Sequence, residues 1–74
     1  MSRHVHAKAS GTVREIRLRP GDPIGAGEPV VVLACVGGDA AVEAPASGVI
    51  ASIDVAVGDA VLAGQRIASL EPLG

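Results

Sequence analysis

Few residues of this 74-residue chain are equipped for chemistry. Cys35 is its one thiol and Lys8 its one lysine amine. A thiol can hold an acyl group or a redox mark; a lysine amine can form a stable amide. Cys35 has no basic neighbour in sequence to activate it, so it reads as a small apolar residue ending the run Val30–Ala34. Its other reading is a non-standard attachment point. His4 and His6 stand two apart, so on a strand both rings project from one face. That is half of a metal site, and with no carboxylate close by in sequence no metal is expected there. Asp22 and Asp59 each follow a glycine in equivalent turns, where Asp bonds local backbone. Arg17 and Arg19 share one outward face and are the candidate docking residues. No Ser/His/Asp set, phosphate loop or cysteine cluster occurs, so no catalytic residue is assigned and the chain is not expected to be an enzyme.

The elements that position these residues come from a repeat. Shifting the chain by 37 residues lays Ser10-Gly11 on Ser47-Gly48, Gly21-Asp22 on Gly58-Asp59 and Ala26-Gly27 on Ala63-Gly64. Between Ala7–Ala34 and Ala44–Glu71, 10 of 28 aligned positions are identical without a gap. A repeat of this extent is the fold itself. Each copy reads as strands broken by glycine and proline turns. The expected strands are His4–Ala7, Thr12–Arg19, Val30–Ala34, Ala41–Glu43, Val49–Val57 and Arg66–Leu70. Ile16, Leu18, Ile53, Val55 and Val57 are expected to face inward, and Val30–Ala34 to be buried on both sides. Gly37-Gly38 is expected to be the central pair of the hairpin joining the copies, because both positions can take positive φ.

Composition sets the outer limits. Hydrophobic residues make up 49% of the chain, with no Phe, Tyr or Trp. Eleven Val and five Ile favour strands over helices. One domain, residues 1–74, is the expected organisation. The net charge of −2 and the lack of aromatic rings argue against a nucleic-acid partner. Residues 1–37 carry five basic and three acidic groups (+2); residues 38–74 carry one and five (−4). This asymmetry reads as solvated surface. A single cysteine allows no internal disulfide. No segment resembles a signal peptide or approaches the ~20 apolar residues of a membrane span. No membrane partner and a cytoplasmic location are expected.

The ordered motifs resemble the biotinyl/lipoyl carrier domain family, biotin carboxyl carrier protein included. They are Gly11-Thr12-Val13, Pro20-Gly21-Asp22-Pro23-Ile24, Gly27-Glu28-Pro29-Val30, Glu43–Ile50, Val57–Val61 and Gly64-Gln65-Arg66-Ile67. The resemblance spans about Val5 to Leu70. It implies an all-β flattened barrel-sandwich hybrid of two four-stranded antiparallel sheets with a pseudo-twofold repeat. In that family a lysine at the tip of the central hairpin is acylated by biotin or lipoate. Counting back from Gly48 by the family's spacing places that position at Gly37, flanked by Val36 and Gly38. Glycine offers no amine, so no cofactor is expected. Lys8 is the repeat counterpart of Pro45 and not of the hairpin.

The resemblance implies a non-enzymatic module, neither biotinylated nor lipoylated. It would be a structural or docking subunit with larger subunits of a carboxylase or acyl-transfer complex as partners. Two alternatives are a carrier loaded at Cys35 and an adaptor module of a transport assembly.

Overall fold

The computed structural model describes residues 3–72 and holds eight strands and no helix among them. They are β1 (Arg3–His6), β2 (Gly11–Ile16), β3 (Pro23–Ile24), β4 (Pro29–Cys35), β5 (Gly38–Glu43), β6 (Gly48–Ile53), β7 (Ala60–Val61) and β8 (Arg66–Pro72). One sheet runs β1-β8-β6-β3 and the other β5-β4-β2-β7, with every pairing antiparallel. The architecture is the all-β, two-sheet sandwich expected from the motifs. One feature differs from a simple stack of two copies. Each sheet takes two strands from each copy, so neither copy owns a sheet. Exchanging each strand with the one four numbers away (β1 with β5, β2 with β6, β3 with β7, β4 with β8) converts one sheet order into the other.

The core shows why this arrangement holds. Among the described residues fourteen apolar ones are buried, and they form seven pairs separated by 37 positions. Val5 pairs with Val42, Ala7 with Ala44, Val13 with Ile50 and Ile24 with Val61 in this sense; so do Val30 with Ile67, Val31 with Ala68 and Leu33 with Leu70. Each sheet alone would leave its apolar face wet, and stacking hides both. No polar or charged residue is buried among the described residues.

The turns repeat in the same way. Asp22 accepts the Arg19 amide at 2.9 Å, and Asp59 accepts the Ala56 amide at 2.8 Å. Gly21 and Gly58, both at φ 95°, donate to the carbonyls of Ile50 and Val13 (2.7 and 2.8 Å). Only glycine enters that backbone region at no cost. These bonds tie the turn of one copy to a strand of the other, which cross-links the interleaved sheets.

Several expectations need correction. β2 ends at Ile16 and β6 at Ile53, short of Arg19 and Val57. Bulges between Val13 and Glu15, and between Ile50 and Ser52, break the alternation. Ile16, Leu18, Ile53 and Val55 still pack partly buried against the core, but Val57 is 63% exposed. Beyond the bulge and past the strand end, a two-residue period no longer predicts direction. The run Val30–Ala34 is not buried on both faces. Val30, Val31 and Leu33 are buried, whereas Ala34 is exposed. Val30 and Val31 are buried side by side because the register shifts between Pro29 and Val31.

Candidate functional site

The joint between the copies is a tight hairpin linking β4 to β5. Cys35 pairs with Gly38, so the two central residues are Val36 and Gly37. The expected Gly37-Gly38 centre is thus displaced by one residue. The backbone explains it: Gly37 has φ 94°, while Val36 stays out of the positive region. A turn of this kind needs a glycine only at its second central position. Gly38, at φ 142°, opens β5 instead. Val36 stands at 107% relative exposure, an apolar side chain at the outermost point of the turn. A Cβ placed on Gly37 would meet nothing within 4 Å. The tip is therefore open but bears no polar or nucleophilic side chain.

Below the tip, Cys35 is half-buried against the core cluster. Its Sγ lies 3.9 Å from the Leu33 carbonyl oxygen. Gly11 makes room for it: a Cβ there would stand 2.9 Å from Sγ and 2.7 Å from the Ala34 carbonyl oxygen. The Arg14 guanidinium bonds the Asp39 carboxylate across the outer face of β4. Sequence reading missed this pair, since its signal is the strand order β5-β4-β2 and not any spacing along the chain. Both side chains are exposed, so the pair contributes at most about 1 kcal/mol.

The other candidates lie apart from the hairpin turn. Lys8 is exposed in the bend between β1 and β2. Gly11, three residues on, packs against Cys35, so that bend opens at the hairpin's end of the sandwich while forming a separate loop. Arg17 and Arg19 are exposed beyond the end of β2, and Arg17 donates to Glu15 at 2.9 Å. Asp22 and Asp59 hold their turns, as above. His4 and His6 project outward from β1, with ring centroids 6.3 Å apart. Among the described residues no group of three or more potential metal ligands gathers, and no cavity opens.

No family model matches the chain, and no curated protein matches it in sequence. Its fold matches solved structures. Urea carboxylase of Kluyveromyces lactis superposes with a TM-score of 0.91 at 24% identity, over 96% of this chain. A single-chain, multi-domain long-chain acyl-CoA carboxylase superposes with a TM-score of 0.89 at 24% identity, over 97% of this chain. The chain spans only 6% and 7% of the length of those two proteins. The lipoyl domain of the 2-oxoglutarate dehydrogenase complex from Azotobacter vinelandii is nearer in size. It superposes with a TM-score of 0.71, and the match covers 89% of this chain and 84% of that one. The carboxylases show the shared fold, and the lipoyl domain adds 35% sequence identity over nearly its whole length. The chain belongs to the biotinyl/lipoyl domain family.

Proposed function

We propose that this chain is a carrier-type domain without a carrier arm, a structural or docking module that works beside the larger subunits of a carboxylase or acyl-transfer complex. One observation supports this most: the β4–β5 turn is built from Val36 and Gly37 and has no amine. Amide formation with biotin or lipoate needs a primary amine on an exposed, rigid tip. Here the tip is exposed and short, and it ends in an apolar side chain. The domain keeps the carrier's shape while offering nothing to acylate at that point. Arg17 and Arg19, exposed beside β2, are the proposed docking residues. The module performs no reaction of its own.

A second reading places an acyl or carboxyl cargo on Cys35. It draws on the position of that partly accessible thiol, one residue before the turn.

Restoring the amine tests the first reading. The triple variant Val36→Met, Gly37→Lys, Gly38→Met is incubated with a biotin ligase beside the unaltered protein. The Lys must relieve a φ of 94°, a strain of about 1–2 kcal/mol that a solvent-exposed turn can absorb by shifting. Biotin on the variant and none on the unaltered protein is the expected result. A folded variant that takes no biotin, or an unaltered protein that does, overturns the placement of the missing amine.

A further inference from the structure

His4 and His6 remain unused by the proposed docking role. Val5 between them is buried and both histidines are exposed, with a register shift against β8 falling between Val5 and His6. β1 is an edge strand, paired only with β8 in its sheet, so neither ring is roofed by a further strand on that flank. Neither ring has a hydrogen-bond partner among the described residues. The rings meet edge to face, 6.3 Å between centroids. Two imidazoles on one tetrahedral zinc, with Zn–N near 2.0–2.1 Å, hold their centroids roughly 5 Å apart.

The surroundings suit a cation. In register across the sheet, His4 stands opposite Ser69, and Ser69 stands opposite Ser52. Ser52 and Ser69 share a hydrogen bond of 3.0 Å between hydroxyls. His6 stands opposite Arg66, whose charge would oppose a metal if left free. Arg66 is instead held by Asp54 at 3.0 Å. The other copy has no such site: the positions 37 residues on from His4 and His6 are Ala41 and Glu43.

We infer that His4 and His6 form a two-imidazole chelate for a divalent transition metal on the edge of the sheet, with water in the remaining coordination positions. Imidazole pairs suit zinc, copper and nickel, and not calcium or magnesium. Zinc is the probe of choice, because imidazole nitrogen is among its usual ligands. The site is independent of the hairpin, so it stands or falls separately from the docking role.

The experiment is a calorimetric titration of the full chain with zinc ion. The unaltered protein, His4→Ala, His6→Ala and the double variant are compared, with circular dichroism to confirm the fold. Both positions face solvent, so the variants should stay folded. One equivalent is expected to bind, and each single substitution to weaken binding by at least about tenfold. Losing a group that merely orients a metal ligand already costs about 10–100-fold. Magnesium should give no heat of binding. Absence of zinc binding to the unaltered protein overturns the inference, as does binding that survives either single substitution unchanged.

Discussion

The Ser10 hydroxyl accepts the backbone N–H of Ala63 at 3.1 Å, from a residue 53 positions later in the chain. Ser47 does the same for Ala26 at 3.2 Å. Each serine leads into a strand of one sheet and fastens a loop from the opposite copy. Removing the hydroxyl by Ser10→Ala or Ser47→Ala is expected to cost about 0.5–1.5 kcal/mol each. The two hydrogen bonds share no partner, so the double variant should show the sum. Urea unfolding of the four proteins checks this; a double variant no worse than either single one would contradict it.

Gly11 and Gly48 start equivalent strands where no side chain fits. A Cβ at Gly11 meets the Ala34 carbonyl, and one at Gly48 collides still more closely with the Glu71 carbonyl. Backbone cannot swing aside as a side chain can. Gly48→Ala is therefore expected to destabilise by about 1–3 kcal/mol or more, and more than Gly11→Ala. The midpoint of urea unfolding ranks them, and the reverse order would count against this reading of the packing.

Leu33 and Leu70 occupy corresponding places in the two sheets and are both fully buried. Truncation to Ala at either should cost about 2–5 kcal/mol. A domain of this length has a total stability of only about 4–11 kcal/mol. Each variant should thus lose a large share of its stability, and the two losses should match within about 1 kcal/mol. Thermal or urea unfolding of both decides it.

Two exposed ion pairs, Arg17–Glu15 and Arg66–Asp54, span 2.9 and 3.0 Å. Replacing Arg17 or Arg19 with Ala should change stability by less than about 1 kcal/mol. Charge reversal at both positions should then abolish any docking they serve while leaving the fold intact. Co-purification of partner subunits from the native host, compared between the unaltered and reversed proteins, reads this out. Equal recovery would remove Arg17 and Arg19 from the docking surface.

The turns and core were legible in the sequence because they depend on residue type at a fixed offset. Gly21 and Gly58, Asp22 and Asp59, and the seven core pairs all recur at 37. What the sequence hid depends on which strands become neighbours. The interleaving of copies between sheets leaves no local trace. The same holds for the Arg14–Asp39 pair, which needs β4 between its two strands. β3 and β7 are two residues long, too short for any period to declare itself. Val57 was misplaced because β6 ends at Ile53 and Val57 already belongs to the turn with Gly58. At the hairpin, Gly37 was legible as a turn residue, but the register Cys35–Gly38 moved the turn by one position. The His4–His6 pair was visible in sequence, while its place on an open edge strand was not.

The central claim is that this carrier-shaped domain bears no covalent cargo. Its most direct test is the intact mass of the chain isolated from its native host. The mass of the bare polypeptide is expected, 7.3 kDa for these 74 residues. An added biotinyl, lipoyl or acyl mass, mapped to Cys35 or Lys8, would contradict it.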